Sequence, residues 1–137
     1  MLTLFHRLAI LACSLMLLTS CEFDQAQRER PRLRSEFELI GTLPGVRVVG
    51  TSDDSKFGQA SVGATYQSSQ TEQAIRSYYD AAFARTGWRQ THDRQLVGVR
   101  LHCYAKGDYT AGLEYNVSAQ SNWTFAVHMA WGQAPCS

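Results

Sequence analysis

Over the second half of the chain, apolar and polar residues alternate with a period of two. Val97, Val99, Leu101 and Cys103 alternate with Gly98, Arg100, His102 and Tyr104. Tyr109, Ala111, Leu113, Tyr115 and Val117 share one face of a second run, and Trp123, Phe125, Val127, Met129 and Trp131 share one face of a third. Successive side chains of a strand point to opposite sides of its sheet, so each run predicts a half-buried strand. The short links Ala105-Lys106-Gly107-Asp108 and Gln120-Ser121-Asn122 predict an antiparallel meander, to which Trp88–His92 adds a fourth strand. Nearer the N-terminus, Val46–Thr51 and Ala60–Tyr66 read as a hairpin, and the polar stretch Ser52–Gly58 between them reads as a mobile loop. Between hairpin and meander the period changes. Ile75, Tyr78, Tyr79, Ala82 and Phe83 form a stripe of helical spacing, introduced by a capping box from Ser69 to Glu72 and closed by Gly87. The expected fold is an α+β domain over residues 36–137, with one helix at about 70–86 packed on an antiparallel sheet. A hairpin precedes that helix and a three-to-four-strand meander follows it.

A different pattern opens the chain. His6 and Arg7 precede Leu8–Leu18, an almost unbroken apolar run. As a helix these residues would reach roughly 17 Å, short of the about 30 Å of a bilayer's hydrocarbon core, so the run reads as a cleaved leader over residues 1–20. It ends on Leu18-Thr19-Ser20-Cys21, which resembles the lipobox of bacterial lipoproteins. That resemblance implies a diacylglyceryl group on the Cys21 sulfur, cleavage of the Ser20–Cys21 bond, and palmitate-type acylation of the new amine. More than one acyl chain holds a protein stably on a membrane. In such lipoproteins an Asp after the lipidated Cys is associated with inner-membrane retention. Glu22 stands here instead, which implies the outer membrane of a Gram-negative cell, facing the periplasm. Residues 21–35, rich in Arg, Glu and Gln and containing Pro31, read as the lipidated Cys and a flexible tether, with Arg28, Arg30, Arg32 and Arg34 in solvent or against head groups. The run from Leu43-Pro44-Gly45-Val46 to Tyr78-Tyr79, Phe83 and Gly87-Trp88 resembles small envelope lipoproteins without an assigned activity.

Charge names no partner. Thirteen Lys and Arg against twelve Asp and Glu leave the chain near neutral, with no basic field for nucleic acid. After Cys13 leaves with the leader and Cys21 serves as anchor, Cys103 and Cys136 remain as an even pair in an oxidising compartment. If the hairpins pair around Gly107 and Ser121, the Ala134-Pro135-Cys136 tail folds back towards Cys103, predicting a disulfide; the alternative is two unpaired thiols. Neither a CxxC spacing nor a metal-ligand spacing of His92, His102 and His128 occurs, so no metal or cofactor is expected.

The same registers set Arg100, Glu114 and His128 side by side on the more polar sheet face, with His102 on that face too, as a candidate binding face. Gly63, Gly98 and Gly112 on it would let a ligand or another backbone approach. Trp123 and Trp131 belong to the inner face and read as core. Nucleophile elbows, Ser-x-x-Lys pairs and phosphate loops are absent. The expected function is a non-enzymatic binding or adaptor module of the envelope, held on the membrane by its lipid and contacting an envelope or secreted protein. Two alternatives accompany it: an immunity protein against a periplasmic toxin, and a small envelope hydrolase acting through Glu114, His128 and His102.

Overall fold

A computed structural model describes residues 25–56, 58–116, 123–132 and 136. The leader, Cys21, the turn at 120–122 and the tail at 133–135 lie outside the described residues. Residues 25–40 form a helix, α1. There follow β1 (Arg47–Lys56), β2 (Gln59–Ser68), α2 (Glu72–Arg85), β3 (Arg89–Leu96), β4 (Val99–Lys106), β5 (Tyr109–Asn116) and β6 (Trp123–Trp131). All six strands join in one antiparallel sheet of order β1-β2-β6-β5-β4-β3. The expectation of one helix on a hairpin and a three-to-four-strand meander is therefore corrected, among the described residues, to two helices on a six-stranded sheet, in which β6 pairs with β2 and welds the hairpin to the meander.

The largest departure is α1. Residues 25–35 belong to a packed helix and not to a flexible tether: Ala26 and Leu33 are wholly buried, and Leu33 and Ile40 enter the main core. Arg32 and Arg34 stay exposed as expected, yet several of the segment's charges also find protein partners. Arg30 and Arg34 both bind Asp53 on β1, and Glu36 accepts from Trp88 Nε1 at 3.2 Å and from Lys106 Nζ at 2.7 Å. Partial burial acts to raise Asp53, yet the hydrogen bonds and charges of Arg30 and Arg34 outweigh it and hold that carboxyl below the usual range. Pro31 is the seventh described residue of α1, past the four unpaired N–H groups of a helix start, so α1 forgoes one intrahelical bond there and relies on its packing.

In the hairpin, the expected Ser52–Gly58 loop is mostly strand. β1 runs to Lys56 and pairs Ser52 with Gly63 and Asp53 with Val62. Helix α2 starts two residues later than expected, with Thr71 and not Ser69 as its cap: Thr71 Oγ1 accepts from Ala74 N at 3.2 Å. Its stripe faces the sheet as the spacing predicts, burying Ile75, Tyr79, Ala82 and Phe83. Gly87, at φ 85°, supplies the left-handed residue after the helix, and Trp88 then packs on Phe83 with ring centroids 5.7 Å apart.

Both helices contribute to one core on one side of the sheet, with Val62, Ala64 and Tyr66 of β2, Phe125, Val127 and Met129 of β6, and Ala111, Leu113 and Tyr115 of β5. No helix covers the opposite face among the described residues. There Leu101, Cys103 and Cys136 form a small separate cluster, closed by the Cys103–Cys136 disulfide with Cα atoms 5.7 Å apart.

Candidate functional site

Hairpin geometry decides which side chains can meet. The β4–β5 connection is a two-residue turn, Gly107-Asp108, flanked by the pair Lys106↔Tyr109; pairing around Gly107 alone would require an odd loop. That one-residue difference turns every side chain of β4 to the other face. Arg100 stands opposite Tyr115 and His102 opposite Leu113, so Arg100 and His102 lie on the helix-covered face, whereas Leu101 and Cys103 face outward. On β5 and β6 the registration differs by two residues, which preserves the faces. Glu114 pairs with Ala126 and His128 with Gly112, both on the uncovered side. The candidate face of Arg100, His102, Glu114 and His128 is thus two half-sites on opposite sides of the sheet.

The outer half holds Glu114 and His128 as diagonal neighbours on a floor of small residues: Ser61 and Thr65 of β2, Thr110 of β5, and Thr124, Ala126 and Ala130 of β6. Gly63 and Gly112 do not admit a ligand here, because the chain fills both positions itself. A Cβ on Gly112 would fall 2.5 Å from His128 Nε2, and one on Gly63 would fall 2.9 Å from His128 Cβ and from the Val127 carbonyl oxygen. The His128 imidazole thus lies over the Gly112 backbone. Burial pushes it below the ordinary histidine range and the charge of Glu114 opposes that shift, so the ring is neutral at pH 7. Gly98 belongs to the β3–β4 turn, at φ 74°, and not to this face.

On the inner side, the sequence reading missed a polar cluster between α2 and β3. His102, 1% exposed, sets its Nδ1 2.7 Å from Asp93 Oδ1, and Asp93 also accepts from Gln90 Nε2 at 2.8 Å and from Arg76 at 3.4 Å. Desolvation raises the Asp93 carboxyl, but the hydrogen bonds from His102 and Gln90 and the charge of Arg76 prevail and hold it below its usual value. Arg76 also reaches Asp80, which accepts from Tyr104 Oη at 2.5 Å, and Arg100 pairs with Glu72. Ionised Asp93 can only accept, so the contact places a proton on His102 Nδ1 and turns Nε2 away from the carboxylate. Among the described residues neither that Nε2 nor Tyr115 Oη has a hydrogen-bond partner, although the two rings meet edge to face at 5.5 Å. Burial drives the Tyr115 phenol upward, so it keeps its proton. The carboxylate–imidazole pair sits beside the Tyr115 ring, and His102 is shut from solvent. The signal missed in the sequence was helical: Arg76 and Asp80, four residues apart, lie on the α2 flank that β3 approaches.

The other residues divide simply. Trp131 pairs with both Ala60 and Tyr109 on the inner face, partly buried. Among the described residues no three His, Cys, Asp or Glu side chains converge as metal ligands, and no helix is long and apolar enough to cross a membrane. No known protein family, characterised protein or solved structure matches the chain.

Proposed function

We propose that the chain is a lipoprotein anchored through Cys21 on the extracytoplasmic side of a membrane, probing its surroundings as a non-enzymatic binding module. The observation that carries the binding part is one-sided coverage. Both helices lie on one face, and the central strands β2, β6 and β5 leave Ser61, Thr65, Thr124, Ala126, Ala130 and Glu114 on the other. A half-solvated antiparallel sheet is stable without a second layer, and its low, smooth relief suits a flat protein partner. Among the described residues Glu114 is the one charge on the outward side of β2, β6 and β5, a depletion that agrees with the composition of protein interfaces. Support for the anchor comes from Leu18-Thr19-Ser20-Cys21 after the apolar run.

Two experiments test the parts separately. Metabolic labelling with a radioactive fatty acid marks the mature chain and fails on Cys21→Ser; an unmarked wild-type chain removes the anchor. A photo-crosslinking residue introduced at Ala126 or Ala130 yields a discrete adduct in cells, whereas one on the helix layer at Arg85 yields none. Equal adducts from both layers, or none from the sheet face, remove the binding face.

A further inference from the structure

One end of the domain gathers residues that suit a lipid surface. The β1–β2 turn at Gly58, the β4–β5 turn Gly107-Asp108 and the end of β6 at Trp131 share that end, since Lys56 pairs with Gln59, Ala60 with Trp131, and Trp131 with Tyr109. The first described turns of α1 lie there too: Gln25, Glu29 and Arg32 line a cleft of about 380 Å³ with Lys106, Asp108, Tyr109 and Trp131. From Cys21 to Gln25 there are four residue steps, which in any conformation span at most about 14 Å. A lipid on Cys21 therefore keeps the Gln25 end of α1 within about 14 Å of the lipid-bearing residue. At the opposite end the β3–β4 turn presents Leu96 and fully exposed Val97, about 24 Å away along β4.

The cleft's chemistry matches that position. Its lining carries two cations, Arg32 and Lys106, and two carboxylates, Glu29 and Asp108, over an aromatic floor of Tyr109 and Trp131. Glu29 holds the cleft together, accepting from Tyr109 Oη at 2.5 Å and from Arg32 at 3.1 Å, and Lys106 is steadied by Glu36. With Glu36 counted beside Lys106, three carboxylates face two cations, so a lone anion fits poorly and a ligand that carries an ammonium beside its phosphate fits better. Trp and Tyr are the side chains enriched at the level of lipid head groups. Resting on the anchored reading above, we infer that this end lies against the bilayer and that the cleft receives a phospholipid head group bearing phosphate and ammonium. Arg32 and Lys106 meet the phosphate, and Glu29, Asp108 and the aromatic faces meet the ammonium. The Val97 turn then points away from the membrane.

The test uses the lipidated chain, purified from cells fed labelled fatty acid and reconstituted in phosphatidylethanolamine vesicles containing head-group nitroxide lipid. With Cys21 thioether-linked and Cys103 bonded to Cys136, a fluorophore on Asp108→Cys or Val97→Cys is the single thiol label. The Asp108 probe loses fluorescence to the nitroxide and the Val97 probe does not. In a second arm, dihexanoyl phosphatidylethanolamine shifts the Trp131 indole N–H resonance of the Cys21→Ser chain, and Arg32→Glu abolishes the shift, while phosphate or ethanolamine alone leaves it unmoved. Absence of the fatty-acid label overturns the anchor and this orientation with it. A labelled protein whose two probes are quenched equally, or whose Val97 probe is quenched more, overturns the orientation alone; an unmoved Trp131 resonance overturns the cleft.

Discussion

Truncation of Leu33 distinguishes a packed α1 from a flexible tether more sharply than any other single change. Leu33 has no exposed surface and joins the core with Ile40 and Leu43. Leu33→Ala removes three carbons, worth about 2.4 kcal/mol of transfer free energy at roughly 0.8 kcal/mol each, and the residual cavity brings the cost to about 2–5 kcal/mol. Residues 25–137 are a domain whose unfolding entropy, at about 2.1 cal/mol/K per residue, makes each kcal/mol worth roughly 4 °C in Tm. The expected Tm decrease is then about 8–20 °C. Arg32→Ala, on a side chain 70% exposed, is the control and stays within about 0.5 kcal/mol. The assay is thermal and urea unfolding of the Cys21→Ser chain by circular dichroism and tryptophan fluorescence. If Leu33→Ala unfolds within about 2 °C of the parent, α1 does not pack on the sheet and the tether reading returns.

Three further outcomes follow from the same geometry. The Cys103–Cys136 bond spans a sequence separation of 33, so its loss costs about 3.7 kcal/mol on the chain-entropy account. Reduction and the double Cys→Ala variant should lower the urea midpoint alike, and an unchanged midpoint refutes a stabilising role. Gly63→Ala meets rigid backbone at Val127 whereas Gly112→Ala meets the imidazole end of His128, so the first costs more within a range of about 1–3 kcal/mol. Adding His128→Ala to Gly112→Ala should recover part of the loss, and strictly additive effects in that cycle would contradict the stacked arrangement. His128, Asp53 and Asp93 all have depressed values in the folded state, so the unfolded chain binds more protons and stability falls on acidification. The loss begins as pH drops below about 6.5 with His128 and steepens below about 4 with the two aspartates. His128→Gln should flatten the upper part of that profile in urea titrations, and a persistent slope there assigns it to another group.

Local pattern carried a good deal of this protein. Period-two alternation located the core faces of β2, β5 and β6, and the 3.6-residue stripe located Ile75, Tyr79, Ala82 and Phe83, because one-sided burial leaves its period in the residues themselves. The even cysteine pair likewise anticipated the bond between Cys103 and Cys136. Two features were decided only by tertiary structure. The segment over 25–35 is almost all polar, and its few buried residues, Ala26 and Leu33, are too sparse to mark an amphipathic face. Its helix depends on Asp53, Trp88, Lys106 and Tyr109, which come from strands or turns far along the chain. The candidate face depended on β4, which carries apolar or aromatic side chains on both sides: Tyr104 under α2, and Leu101 with Cys103 under the disulfide. Alternation along such a strand does not say which side is inward. The two-residue turn at Gly107-Asp108 makes that choice, and by one residue of register it sends His102 inward to Asp93 and leaves Glu114 and His128 outside.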